Sequence, residues 1–302
     1  MRRRKLSILL GGTLPASTAW RFAAHAQKTT PVIGFLGSNS SATFAPHVDA
    51  FRGGLAEAGF ADGRDVSIEY RWADDRYERL PALAGELVAR GVTVIHTTDS
   101  SATRAAKAAT ASIPIVFVVG SDPVDAGLVE SLSRPGGNLT GMYLYIGGLL
   151  TKKLELLHGV APAVDNIGLV VNPGTPSAKL DAAEWATVAW STGKPLARIL
   201  NARTEAKIDA VFADLGKSGT SAAVVGSDSY FFAHRQLLAA VAAVHRVPTI
   251  YYARQFATAG GLMSYGAAIA DVVRRAGIYT AWVLKGGQPR DMPVQQPTKF
   301  GL

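Results

Sequence analysis

The 302-residue sequence has no cysteine. That absence excludes a disulfide scaffold, thiolate catalysis and any cysteine-ligated zinc or iron–sulfur centre. It also removes the thiol that a lipoprotein anchor requires. Charged residues are sparse at 18% against 48% hydrophobic ones, a balance that fills a core and excludes disordered and fibrous classes. Enzyme signatures are missing as well. No G-x-G-x-x-G follows the first predicted strand, no G-x-S-x-G elbow occurs, and the scattered His47, His96, His158, His234 and His245 form no H-E-x-x-H. Gly216-Lys217-Ser218 looks like the end of a phosphate loop, but Val211 stands where that loop needs glycine. The expectation is no metal and no cofactor. Asp75 and Arg79, four apart, read as a solvated helix-face pair, and Asn138-Leu139-Thr140 as a chance glycosylation triplet.

Residues 1–26 lack acids entirely but hold Arg2, Arg3, Arg4, Lys5 and Arg21. The basic start, the short apolar run Leu6–Leu14 and Ala24-His25-Ala26 follow the order of a secretory signal cleaved near Ala26. The run is too short for a membrane span of about 20 residues. The paired arginines suit the twin-arginine route, and the general route stays open. A net charge of +8 and pI near 9.7 raise nucleic acid as a partner. The signal accounts for five of the bases, however, leaving 26 bases against 23 acids from residue 27 onward. Nucleic acid is therefore not expected.

From Val32 the pattern alternates short apolar strands with helical stripes. Strands are predicted at 32–36, 66–70, 92–95 and 113–119, with helices between them ending at Gly59 and Gly91. Such alternation indicates parallel sheets covered by helices on both faces. The pattern breaks at Arg134-Pro135-Gly136-Gly137-Asn138 and restarts at Ile167-Gly168-Leu169-Val170-Val171, which reads like Ile33-Gly34-Phe35-Leu36. A helix starts at Thr175-Pro176 and stops at Gly193. Further strands are predicted at 196–200, 222–225, 249–252 and 262–265, and a long helix at 269–284. The fold class is α/β, with two doubly wound parallel-sheet lobes joined by a hinge near 141–148 and 265–268. The expected division is 27–142 with 266–291 for one lobe, and 143–265 with 292–302 for the other.

In open α/β sheets, ligands bind beyond the carboxyl ends of the strands. The polar tips there are Ser38, Asn39 and Ser40; Thr98, Asp99 and Ser100; and Gly120, Ser121 and Asp122. The second half adds Asn172, Ser227, Asp228 and Tyr251. Helix amino termini and hydroxyls suit an anion, and Asp122 or Asp228 suits an ammonium. Tyr251, Tyr252 or Phe231 suits an apolar wall. Taken singly, a Ser, Asp or Asn here reads more readily as a cap or turn former; as a set meeting in one crevice between two lobes, they favour a ligand site.

These segments, with Ile68-Glu-Tyr-Arg-Trp72, Ser121-Asp-Pro-Val124, Lys153-Leu-Glu-Leu-Leu157, Gly260–Gly266 and Pro293–Phe300, run almost end to end in a specific order. The chain resembles the periplasmic substrate-binding proteins of ABC transporters, in the branch described as tryptophan/tyrosine-type. The resemblance implies a type I binding-protein fold and capture of a small organic solute between the lobes. It also implies a periplasmic location, delivery to an inner-membrane permease, a monomer and no chemistry on the solute. The expected roles are an amino group on Asp228, a carboxylate on the Thr97–Ser101 loop and a side chain against Tyr251. An exported solute sensor and a secreted hydrolase are the alternatives. Two departures stand out. Relatives continue beyond Lys299-Phe300 through another strand and helix, which points to truncation or to a missing edge element in the second lobe. The segment Tyr145-Ile146-Gly147-Gly148 is also unusually apolar, so a changed hinge or ligand wall is expected there.

Overall fold

The computed structural model describes residues 30–192, 198–217 and 221–302. The export segment 1–26 lies outside the described residues, as do the helix stop at Gly193, the predicted strand start at Leu196 and Ser218 of the phosphate-loop-like triplet.

The first half comprises β1 (Val32–Gly37), α1 (Ser41–Glu57), β2 (Ser67–Trp72), α2 (Leu80–Arg90), β3 (Val94–Thr97), α3 (Ser100–Ala109), β4 (Ile115–Val119) and β5 (Leu139–Tyr143). Its sheet is parallel, in the order β2-β1-β3-β4-β5. The second half runs α4 (Leu150–Val160), β6 (Asn166–Val171), α5 (Pro176–Thr192), β7 (Arg198–Asn201), α6 (Glu205–Gly216), β8 (Ser221–Val225), α7 (Ser229–Ala233), α8 (Arg235–Val244), β9 (Thr249–Tyr251), α9 (Arg254–Thr258) and β10 (Met263–Ser264). Its sheet, also parallel, is β10-β9-β8-β6-β7. Renumbered from its own first strand, that is the same 2-1-3-4-5 order. The chain then forms β11 (Gly266–Ala267), α10 (Ile269–Leu284) and β12 (Phe300–Gly301).

Local chemistry explains the elements. Strands β3, β4, β5, β8 and β9 are buried along their whole length, as strands between two helical layers should be. Ser40 Oγ caps α1 through Thr43 N, and α2 ends on Gly91 in the left-handed region at φ 70°. Phe35 of β1 anchors the first core, with Phe51 at 5.4 Å, Tyr70 and Trp72 each at 5.3 Å and His96 at 4.8 Å. Each fully buried aromatic of this kind contributes about 1.5–3 kcal/mol.

Two features depart from the sequence reading, the strand β5 and the course of residues 292–295. β5 was not predicted, because Thr140 and Gly141 interrupt its apolar run directly after the Pro-Gly-Gly-Asn break. α10 packs on α1 of the first sheet, and Gly54 and Gly277 let the two backbones meet. A β-carbon at Gly54 would strike Arg274 O, and one at Gly277 would strike Phe51 O. Finally, residues 292–295, expected in the second lobe, lie along β5. Gln295 N donates to Gly141 O (3.0 Å), Tyr143 N to Gln295 O (2.8 Å), and Thr140 Oγ1 to Met292 O (2.6 Å). The free edge of β5 supplies the hydrogen-bond partners, and Phe300–Gly301 then pairs with β11. A third segment thus runs alongside the two predicted connections.

Candidate functional site

Because both sheets are parallel, the carboxyl ends of their strands all point one way, and the two sets face each other across a cleft. The cleft holds about 630 Å³ of space unfilled by protein atoms, its mouth included. The loops after β1 and β3, and after β6 and β8, flank the points where strand order reverses, so the two lobes present equivalent residues. Asn39 follows β1 as Asn172 follows β6. Asp99 follows β3 as Asp228 follows β8, and each aspartate caps the next helix.

Asp228 is the most elaborated group. Its Oδ1 accepts from Asn172 Nδ2 (3.0 Å), Tyr77 OH (3.1 Å) and Tyr230 N (2.9 Å). Among the described residues Oδ2 accepts no hydrogen bond. Burial pushes the carboxyl up to about 7, against the pull of the Asn172 and Tyr77 donors. A buried carboxylate with one free oxygen is a receptor for a cation or a hydrogen-bond donor.

The two lobes touch here. Tyr77, on the first lobe, donates to Asp228 and accepts from Tyr230 N (2.9 Å). Asn39 Nδ2 donates across to Ser229 O (2.7 Å) and to Asp75 Oδ1 (3.4 Å) on its own side. Gly120 abuts Ser227 so closely that a β-carbon there would collide with Ser227 Oγ. These contacts define a closed arrangement.

Apart from Ser101, Ser177, Ser229 and His47, the rest of the cavity is apolar. Phe44 and His47 of α1, Val118 of β4, Leu144 and Ile146 of the first connection, Phe232 of α7, Tyr252, and Ile269 and Val273 of α10 line it. Ile146, from the apolar segment 145–148, thus lines the cavity. Tyr145 takes a left-handed φ of 55° and its ring lies 6.2 Å from that of Phe300. Behind the cleft, Lys153 Nζ donates to Ile146 O (3.2 Å) and Ser227 N donates to Asp181 Oδ2 (3.0 Å). Burial lowers Lys153 to about 8 and raises Asp181 to about 7. Lys153 thus holds Ile146 of the first connection and Asp181 holds Ser227 of the loop after β8.

Of the residues singled out in the sequence, Asn39, Thr98, Asp99, Ser100, Gly120, Ser227 and Asp228 line the cavity. Asn172 stands one bond behind, on Asp228. The others do not reach it. Ser40 caps α1, and Asp122 Oδ1 closes a turn by accepting from Val124 N (2.7 Å) and Asp125 N (3.3 Å). Ser38 and Ser121 are buried with unpartnered hydroxyls outside the lining. Tyr251 belongs to the second lobe's core, stacked on Phe256 at 4.7 Å with its hydroxyl on Leu238 O (3.2 Å). Alternation along β9 turns the next residue, Tyr252, to the cavity, its hydroxyl on Asp228 O (2.9 Å). The Thr97–Ser101 loop was expected to offer free helix N–H groups to a carboxylate. Asp99 Oδ1 takes those of Ser101 (2.9 Å) and Ala102 (3.0 Å) for itself. Asp75, read as a partner of Arg79, instead holds Asn39, while Arg79 pairs with Asp74 at 2.8 Å. Tyr77, His47 and Phe232 were missed. His47 and Phe44 sit on the apolar stripe of α1, which reads as core until the second lobe closes over it.

Residues 39–302 match the family described as ABC transporter substrate binding protein. The chain belongs to this family. Its members bind small-molecule solutes, serve an ABC permease and are typically exported. A tyrosine-binding protein of Clostridioides difficile (strain R20291) is 25% identical over 240 residues, 80% of this chain and 68% of that one. An ABC domain from Streptococcus pneumonia in complex with L-Trp superposes with a TM-score of 0.80 at 23% identity, covering 90% of each chain. The ligand-free, open structure of a substrate binding protein with adhesive properties from Clostridium difficile gives 0.64 at 22% identity, covering 89% of this chain and 90% of the other. Both share the two-lobed α/β fold. Among the described residues no helix is long and apolar enough to cross a membrane, and no group of three or more His, Cys, Asp or Glu is placed to hold a metal ion.

Proposed function

We propose that the protein captures an amine-bearing organic solute, an amino acid with an aromatic or large apolar side chain, and delivers it to an inner-membrane permease. The observation that carries this reading is the polarity of the cleft. One end holds Asp228 with a free carboxylate oxygen and Asp99 beside Thr98 and Ser100. The remaining wall is mainly aromatic and aliphatic, with Ser177 and His47 among it. An ammonium meets Asp228 Oδ2, an anionic end meets the hydroxyls of Ser100 and Ser227, and the side chain meets Phe44, Phe232 and Tyr252. The names of the tyrosine-binding relative and of the L-Trp complex support the same class of ligand.

The mechanism is differential binding. A solute that touches both lobes favours the closed arrangement over an open one, and the permease reads the closed surface. The protein works as an exported, periplasmic monomer without a lipid anchor, freed of residues 1–26 near Ala26, and performs no chemistry on the solute. The unbroken region 30–142 with α10 forms one lobe and the region from α4 to β10 the other. Thermal-shift measurements on residues 27–302 with an amino-acid panel test the assignment, because a bound ligand raises apparent stability by mass action. Stabilisation by aromatic or large apolar amino acids is expected. No stabilisation by any amino acid refutes the ligand class.

A further inference from the structure

His47 lies at the apolar end of the cavity and its chemistry is unused. The residue is 3% exposed, and among the described residues neither ring nitrogen has a hydrogen-bond partner. Its ring stacks on Phe44 (4.6 Å) and meets the edge of Phe232 (5.4 Å), and all three side chains line the cleft. Buried polar groups in folded proteins are almost always paired, so two orphaned nitrogens on a cavity wall call for a partner inside the cavity.

The elements set the distance. Helix α1 begins at the polar end, beside Asn39, and reaches Phe44 and then His47. Helix α7 begins at Asp228 and reaches Phe232 one turn later, about 5.4 Å along its axis. His47 and Asp228 thus line one cavity, and Phe232, one turn along α7 from Asp228, is the ring whose edge meets His47. The imidazole is uncharged at neutral pH: burial, followed by the nearby Arg235, holds it down at about 4. Arg235 itself lies over the Phe232 ring at 5.2 Å. A neutral imidazole offers one N–H donor and one acceptor, which fits a hydroxyl or a ring N–H and gives a carboxylate no charge to pair with.

We propose that His47 is a specificity residue that reads a polar atom at the far end of the ligand's ring, a phenol hydroxyl or an indole-type N–H. The proposal rests on the reading of the cleft as a site for aromatic or apolar amino acids. It selects, within that class, ligands that carry a distal hydrogen-bonding group.

The test is calorimetric titration of the purified protein with two matched pairs, tyrosine against phenylalanine and tryptophan against 1-methyltryptophan. In at least one pair the ligand with the polar group should bind about tenfold more tightly, the value of one buried hydrogen bond. His47→Phe keeps the stacking and should bring that ratio to within about twofold. His47→Gln restores a donor and an acceptor and should recover part of the preference. A cooperative thermal transition close to that of the unmodified protein shows that the variants fold. Absence of preference in both pairs, or a preference that survives His47→Phe, overturns the assignment of His47 alone. The amine reading is then judged separately, by loss of binding in Asp228→Asn. Failure of all four ligands to bind the unmodified protein overturns both.

Discussion

Removal of the Tyr77 hydroxyl isolates the energetics of closure. Tyr77 does not line the ligand cavity; its hydroxyl joins the lobes by donating to Asp228 Oδ1 at 3.1 Å and accepting from Tyr230 N at 2.9 Å. In Tyr77→Phe both contacts vanish from the closed form, whereas in an open form neither exists. Tyr230 N keeps its second acceptor, Asp228 Oδ1, so the loss is dominated by the bond to the carboxylate. A hydrogen bond to a charged group has a net value of about 1.5–3 kcal/mol. Since ligand binding draws on the closed form, the dissociation constant weakens by roughly 10- to 150-fold. Calorimetry measures this, small-angle scattering follows ligand-induced compaction, and urea unfolding checks that each lobe keeps its stability. The order of preference among ligands should not change, because no wall residue has been altered. A dissociation constant within about twofold of the unmodified protein would show that these bonds do not hold the lobes together.

Gly120→Val places side-chain atoms against Ser227 Oγ and Ile146; the protein should fold but show no ligand-induced compaction, and adding Ser227→Gly should restore part of it. Asp228 must be ionised to hold an ammonium, and burial raises it to about 7. Affinity for amine ligands therefore tightens as pH rises from about 5.5 and levels off above about 7; Asp228→Asn should bind weakly with a flat profile. Both Asp181 and Asp228 are raised from the ordinary carboxyl range to about 7. Between roughly pH 4 and 7 the folded state holds protons that the unfolded chain has released, so these groups make ligand-free stability fall as pH rises through that window. The urea midpoint measures the slope, which Asp181→Asn should make shallower. Gly277→Leu forces α10 away from Phe51 O on α1, and the melting temperature should drop by the equivalent of about 1–3 kcal/mol or more.

Much of the architecture was legible because its signals are local. Strand–helix alternation follows from burial on both faces of a parallel sheet, and the similarity of Ile33–Leu36 to Ile167–Val171 marked the start of a second, similar lobe. The polar tips after β1, β3 and β8 were legible for the same reason: strand ends are where Ser, Asn and Asp interrupt an apolar run. The failures have physical causes too. A strand such as β5, carrying Gly141 and Thr140, has too weak a pattern to be seen alone, yet pairing with β4 and with residues 292–295 makes it central. Tyr251 and Tyr252 are neighbours of identical chemistry, and only the pleat of β9 decides which faces the cleft.

By itself the sequence determined the fold class, the family resemblance and the strand ends at which a ligand site is built. These depend on periodicity and on residue order, both of which are properties of the chain. Tertiary structure alone decided what those ends do. It turned Asp99 inward on its own helix, left Asp228 with a free oxygen, and set Tyr77 across the cleft from a segment about 150 residues away. It also placed His47 unpaired in an apolar wall. Such outcomes depend on which groups meet across a closed interface, and residues remote along the chain carry no mark of that meeting.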